Sequence, residues 1–272
     1  MGRTKSADLL LQGCVIISFL LLGWRGAAAS DELAYRIPIL VYHRFSEAAG
    51  DSMSLTIERF ESQLKYLRER DYKIIPLREL VDNRLSGKNS LFERAVVLTA
   101  DDGHRSVYTH LFGVARKYQL PVTLFIYPSA ISRAEYALTW EQLATLKQSG
   151  LFEVQSHSYW HPNFLQEKRR LTPTEYDQFV RTQLVQSKEV LESKLGGKVD
   201  LLAWPFGIFD NDLMGKATTA GYVAGFTIEG RHATSRDPIM ALPRYLITQA
   251  VDMRMFAELI TGSGNKRSEI HS

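Results

Sequence analysis

The 272-residue chain has a single cysteine, Cys14, which removes both a disulfide framework and any cysteine-based zinc site. It has no G-x-S-x-G elbow and no G-x-x-x-x-G-K-S/T loop, so the usual sequence signs of a serine hydrolase and of a P-loop phosphate cradle are missing. No Asn-x-Ser/Thr sequon occurs, which accords with a bacterial envelope better than with a eukaryotic secretory route. Neither sign of charge is in large surplus, with 33 Lys+Arg against 30 Asp+Glu and a formal charge of +3. No Lys/Arg block interleaved with aromatics points to nucleic acid. Linkers, low-complexity tracts and repeats are also missing. What remains, 45% hydrophobic with 13 Phe and 12 Tyr, is the composition of an ordinary folded protein.

The N-terminus orders its residues as basic, apolar, then small: Met1-Gly2-Arg3-Thr4-Lys5, an apolar run from Leu9 to Trp24, and Ala27-Ala28-Ala29-Ser30. That order is a secretory signal peptide, residues 1–29, cleaved after Ala29. The run is marginal for a membrane span, so an uncleaved N-terminal anchor, and with it membrane association, is the alternative. Leu11-Gln12-Gly13-Cys14 is not read as an acylation site, because the apolar run continues beyond the cysteine. Cleavage would remove Arg3, Lys5, Arg25 and Asp8, leaving 30 basic against 29 acidic residues and a charge of +1. The expected product, residues 30–272, is one exported, thiol-free domain in the periplasm or at the cell surface.

Along that domain short apolar runs alternate with helical periods. Strands are expected at 37–42, 95–99, 122–127, 152–156, 201–204 and 222–228. Helices are expected from about 56, over 107–118, 140–147 and 211–220, and from Thr172, where Pro173 and Glu175 make a capping box, to Gly196-Gly197. Tyr176, Val180, Leu184, Leu191 and Leu195 give that last helix an apolar face. The alternation implies an α/β fold with a parallel sheet, open or closed into a barrel, and chemistry at the carboxyl ends of the strands.

Four stretches occupy such ends. Thr99-Ala100-Asp101-Asp102-Gly103 holds two adjacent carboxylates that repel unless a cation or proton intervenes; a simple turn is the plain reading. Ser156-His157-Ser158-Tyr159-Trp160-His161 carries two histidines four apart, which on a helical turn could converge on one ion with an oxygen ligand from elsewhere. Ala203-Trp204-Pro205-Phe206-Gly207 makes a fixed loop whose aromatics are either core or the lining of a sugar site. His43 ends the run Ile39-Leu40-Val41-Tyr42 and could give up a proton near neutral pH.

Together these stretches resemble the polysaccharide deacetylase family with the NodB-type domain, carbohydrate esterase family 4. Thr99 to Gly103 is similar to its T-F-D-D-G motif, His157 to His161 to H-S/T-x-x-H, Ala203 to Phe206 to R-x-P-Y/F, and the run ending at His43 to I-V-L-x-H. That last element comes first here, as in the permuted poly-N-acetylglucosamine deacetylase branch, and the stretch from Phe60 to Tyr72 resembles that branch as well. The resemblance implies a single-domain distorted (β/α) barrel. It also implies a divalent metal, zinc before cobalt, nickel or manganese, on Asp102, His157 and His161. Asp101 would be the catalytic base and His43 the acid, with the Phe206 backbone N–H near the oxyanion and Trp204, Pro205 and Phe206 binding substrate. Ala203 stands where the family has the arginine that orients the base, and Arg244 is the candidate replacement. The implied reaction removes N-acetyl groups from an N-acetylated polysaccharide, an exopolysaccharide by preference, with exopolysaccharide synthesis or export machinery as a further partner. The rival readings are a non-catalytic carbohydrate-binding or assembly protein on the same scaffold, and a metal-dependent amidohydrolase of small amides.

Overall fold

The computed structural model describes residues 35–48, 50–87 and 93–263; the expected signal peptide or anchor at 1–29 lies outside them. Among the described residues no helix is long and apolar enough to cross a membrane.

In chain order the strands are β1 (Arg36–Ile37), β2 (Ile39–Tyr42), β3 (Arg44–Ser46), β4 (Ser54–Thr56), β5 (Lys73–Ile75), β6 (Ala95–Asp101), β7 (Val122–Ile126), β8 (Phe152–Ser156), β9 (Leu201–Ala203), β10 (Ala224–Phe226), β11 (Ala233–Thr234) and β12 (Tyr245–Leu246). The main sheet runs β10-β9-β8-β7-β6-β2-β12, with β5 also on β6, and all its pairs are parallel. Its two ends approach each other. Thr227 N donates to Leu242 O at 2.8 Å and Leu242 N to Gly225 O at 2.8 Å, while Tyr245 and Leu246 pair with Leu40 and Val41. One short segment, 242–246, therefore bonds to β10 on one side and β2 on the other, and the sheet curls into a distorted barrel. Gly225 is required at this seam: a Cβ there would lie 2.2 Å from Met240 O.

Period-two alternation sorts the strand side chains into two layers. Ile39, Ala95, Val97, Phe125, Leu201, Ala203, Ala224 and Phe226 form one buried cluster inside the barrel, floored by Leu77, Leu80 and Val81. Leu40, Val96, Leu98, Leu124, Leu202 and Trp204 belong to the other, which packs against the surrounding helices. Thr99 and Asp101 continue the inward register of Ala95 and Val97, which places Asp101 at the barrel mouth.

The helices are α1 (Ile57–Glu69), α2 (Leu77–Leu85), α3 (Phe112–Tyr118), α4 (Trp140–Gln148), α5 (Phe164–Arg170), α6 (Pro173–Arg181), α7 (Ser187–Leu195), α8 (Asn211–Thr219) and α9 (Met253–Thr261). Thr172 caps α6 with the expected capping box. The long helix is interrupted, however: a π-helical turn, Thr182–Gln186, joins α6 to α7. The sequence reading assigned nothing to β5, α2, α5 or α9, and it drew the strand near 222–228 longer than β10.

Candidate active site

Asp101 ends β6, and the next two residues turn sharply, Asp102 at φ 71° and Gly103 at φ 69°. A Cβ on Gly103 would sit 2.9 Å from Ile126 Cδ1, so the turn depends on glycine. The left-handed φ at Asp102 is uncommon for a residue with a side chain, and an oxygen of each aspartate lies near the same His157 Nε2, Asp101 Oδ2 at 3.7 Å and Asp102 Oδ1 at 3.6 Å.

His157 and His161 leave β8 on a loop, not on the helical turn their spacing suggested; Ser158 and His161 have φ of 63° and 61°. His157 Nδ1 lies 2.8 Å from Ala203 O. A carbonyl can only accept, so Nδ1 carries the proton and Nε2 is left with a lone pair. That Nε2 is 3.6 Å from Asp102 Oδ1, and His161 Nε2 is 3.7 Å from the same oxygen. These separations are too long for hydrogen bonds. Asp102 Oδ1 is buried without a hydrogen-bond partner. One ligand atom from each of Asp102, His157 and His161 falls within 4.8 Å of the others, and two imidazoles with a carboxylate are a donor set that suits zinc and similar divalent ions. The residues present fit such an ion.

The electrostatics agree. Burial pushes His157 down to about 3 and lowers His161 as well, so both rings are neutral near pH 7, the form that ligates metal. Burial, with the Asp101 charge, raises Asp102 against the opposing pull of His43 and Arg44. Asp101 moves the other way. Burial alone would raise it, but the Arg244 guanidinium, together with His157 and His43, outweighs burial and holds the carboxyl below the usual range.

Arg244, fully buried, makes a two-pronged pair with Asp101: Nη1 to Oδ1 at 2.8 Å and Nη2 to Oδ2 at 2.6 Å. Nη1 also donates to Thr99 Oγ1 at 3.1 Å and Nε to Thr227 O at 3.1 Å. The arginine therefore reaches Asp101 from the seam segment, while Ala203 faces the same interior from β9. His43, just past β2, is half-buried with Nδ1 lacking a partner, and its charge would act on both aspartates.

The third stretch divides. Trp204 is fully buried, faces the helices, and donates its indole N–H to Met240 O at 2.8 Å, so the expectation that it contacts substrate is corrected. Pro205 is buried too. Phe206, at φ 57°, is 56% exposed with its ring 4.5 Å from that of His161, which leaves it alone of the three on the cleft. Sequence reasoning also missed a second aromatic group beside His161. The Tyr127 ring lies 5.4 Å from His161, its hydroxyl 2.6 Å from that of Tyr136, and Tyr136 stacks on His104 at 6.2 Å. Tyr127 directly follows β7, and the strand-end criterion applied to the other four stretches would have found it.

Comparison with known proteins gives a consistent picture. The family model described as polysaccharide deacetylase matches residues 88–225, just over half of the chain. A poly-β-1,6-N-acetyl-D-glucosamine N-deacetylase of Escherichia coli strain K12 is 26% identical over 255 residues, covering 80% of this chain and 38% of that protein. The chain thus spans well under half of that relative's length. A protein of the same name from Staphylococcus aureus strain MRSA252 is 23% identical over 212 residues, 76% of this chain and 72% of that one. In structure, Streptococcus pyogenes deacetylase PplD in complex with acetate superimposes with a TM-score of 0.73 at 21% identity, over 83% of this chain and 98% of that one, which speaks to the fold.

Proposed function

Because the chain belongs to the polysaccharide deacetylase family, we propose that it hydrolyses the acetamide of N-acetylhexosamine units in a polysaccharide, releasing acetate and a free amine. The observation that carries this reading is the unpartnered Asp102 oxygen facing two neutral imidazoles, beside a second carboxylate fixed by Arg244. Two relatives named as poly-β-1,6-N-acetyl-D-glucosamine N-deacetylases favour that exopolysaccharide as the substrate, and the N-terminal sequence favours export to the periplasm or cell surface.

Asp102, His157 and His161 would hold a divalent metal, zinc in the first place. When bound, such an ion supplies Lewis acidity toward an amide carbonyl and makes water more acidic. The chain's own groups do the rest. Asp101 accepts the proton that the attacking water gives up. Arg244 fixes both carboxylate oxygens, so the acceptor does not rotate, and its charge keeps Asp101 ionised and ready. His43 gives a proton to the departing nitrogen as the C–N bond breaks, so the amine leaves neutral. Phe206 and the Tyr127–Tyr136 pair lie beside His161 and offer aromatic faces to a sugar ring.

The test is acetate release from β-1,6-linked N-acetylglucosamine oligomers by the purified chain with zinc or cobalt. Asp101→Asn and the His157→Ala/His161→Ala pair should each lower turnover by about 10³-fold or more, the scale on which groups acting in the transition state are lost. Unaltered turnover in either would sink the assignment. Full activity in His43→Ala would give that histidine a structural role. A wild-type chain that binds the oligomers but never takes up stoichiometric metal would instead be the non-catalytic binder.

A further inference from the structure

The long helix that continues from α6 into α7 presents a buried face, and two residues on it are polar: Gln183, 1% exposed, and Ser187, 0% exposed. Gln183 lies inside the π turn and Ser187 directly follows it. A π turn holds more residues per turn than the α-helix and so rotates the face on either side of it. Both side chains are spent on the histidine loop. Trp160 N donates to Gln183 Oε1 at 3.1 Å. Ser187 Oγ donates to Ser158 O at 2.9 Å and lies 2.8 Å from Ser156 Oγ.

The proton order follows from these contacts. Ser187 has one hydroxyl hydrogen, and the Ser158 carbonyl takes it, so Ser156 must donate to Ser187. Ser156 Oγ in turn accepts from Ser158 N at 3.2 Å, which closes a ring of bonds around Ser158. Ser158 Oγ then accepts from His161 N at 3.1 Å. Ser158 and His161 are the two left-handed residues of the loop, a conformation residues with side chains seldom hold unless their surroundings impose it. The π turn is itself tied down, since the Tyr222 hydroxyl donates to Leu184 O at 2.9 Å.

We propose that Gln183 and Ser187 are positioning residues of the catalytic site: from the π turn they fix the backbone of the loop 156–161, and through it the separation of the two imidazoles. The inference rests on the reading that Asp102, His157 and His161 hold a divalent metal. Neither residue touches the ion or the substrate; each acts through the loop, as the outer partners of metal ligands commonly do.

The experiment is a titration of the metal-free chain with Co²⁺, followed by visible absorption, for wild type, Ser187→Ala, Gln183→Leu, Gln183→Glu and Val180→Ala. Ser187→Ala and Gln183→Leu are expected to weaken cobalt binding about 10- to 100-fold and to alter the band intensities that report ligand geometry. Gln183→Glu retains an acceptor oxygen for Trp160 N and should restore most of the affinity. Val180→Ala, in the same helix and without a hydrogen bond to the loop, should lower the melting temperature while leaving the cobalt titration unchanged. Ser187→Ala removes a single atom and keeps the test open if Gln183→Leu does not fold. Wild-type affinity and spectrum in both loop variants, or an equal loss in Val180→Ala, would overturn the proposal alone. A wild-type chain that takes up no cobalt would overturn the metal reading and this inference together.

Discussion

Two arginine-centred clusters sit at opposite ends of the barrel, and they differ in what is left unbonded. At the amino ends of the strands Arg78 bridges Glu153 at 2.7 Å and Asp200 at 2.6 Å, with Lys198 on the far oxygen of Asp200 at 2.8 Å. Gln155 completes the group, donating to Glu153 and accepting from the backbone of Asp200 and Leu201. At the mouth, Arg244 satisfies Asp101 just as fully, yet Asp102 Oδ1 one residue away has no partner. An unmet buried acceptor costs about 1–3 kcal/mol. Among the described residues the floor cluster leaves no such acceptor unmet, whereas the unmet oxygen at the mouth is the one that faces the two imidazoles. Charge density alone would not separate the two ends, since the floor has as many ionised groups.

The sharpest way to break this comparison is to remove each arginine. Arg244→Met strands Asp101 in a fully buried position, and should cost about 3–5 kcal/mol in urea unfolding, with loss of deacetylation. Arg78→Met should cost about 1–2 kcal/mol and leave turnover intact. The Arg78 and Glu153 side chains are 29% and 31% exposed, so water takes over part of the pairing, and Lys198 still faces Asp200. Equal losses of stability and of activity from the two variants would erase the distinction between a structural and a catalytic end.

Proton binding sharpens the same contrast by a smaller amount. In the metal-free chain His157 is pushed down to about 3 and His161 is lowered too, in both cases by burial. An unfolded histidine titrates near 6.5, so between that pH and about 3 the unfolded chain takes up protons that the folded one refuses, and stability falls as pH falls. One such group contributes up to about 1.4 kcal/mol per pH unit. Asp101 and Asp200 are both lowered, because their cationic partners outweigh burial. Their stabilisation is complete above the ordinary carboxylate range and is lost only below about pH 4. Above that range and up to pH 6.5 the lowered histidines dominate the slope, with Asp102, raised by burial, acting in the opposite sense. Denaturant midpoints over this interval should slope less steeply in His157→Gln than in wild type, whereas Arg78→Met should keep the wild-type slope. His161, His104 and His232, also lowered by burial, set the slope that remains. An unchanged slope in His157→Gln would mean that this ring is protonated in the folded chain.

Much of the mouth could be anticipated because its residues are local to strand ends: the Asp pair after β6, the His pair after β8 and His43 after β2 all follow apolar runs that read as strands. The family resemblance supplied Arg244, which lies 143 positions from Asp101 and which no local pattern connects to it. Other features were hidden for physical reasons. β5 is three residues followed by Pro76 and α2, too short to show a period. Ser187 left only a gap between Leu184 and Leu191 in the apolar stripe, and Gln183 stood beside Leu184 as an ordinary polar flank; neither position says what its side chain meets. The histidine loop reaches its geometry through positive φ at two residues that are not glycine, which composition does not signal.

The side to which Trp204 points was beyond reach for a related reason, and it sets the smallest of the expected effects. β9 is buried on both faces, so the run from Leu201 to Trp204 is apolar throughout and has no alternation from which to tell inside from outside. Pairing fixes the register instead, sending Ala203 inward with its carbonyl on His157 and Trp204 outward among the helices. The chain then turns through Phe206 at positive φ and returns an aromatic ring to the cleft. Two adjacent motif aromatics should accordingly fail in different assays. Phe206→Ala should raise KM for N-acetylglucosamine oligomers by about 2- to 10-fold, the worth of one aromatic contact, with the melting temperature unchanged. Trp204→Phe, which loses the bond to Met240, should lower stability by about 1 kcal/mol and leave KM where it was. A KM that responds to Trp204 and not to Phe206 would reverse the assignment and put the cleft on the other face of the motif.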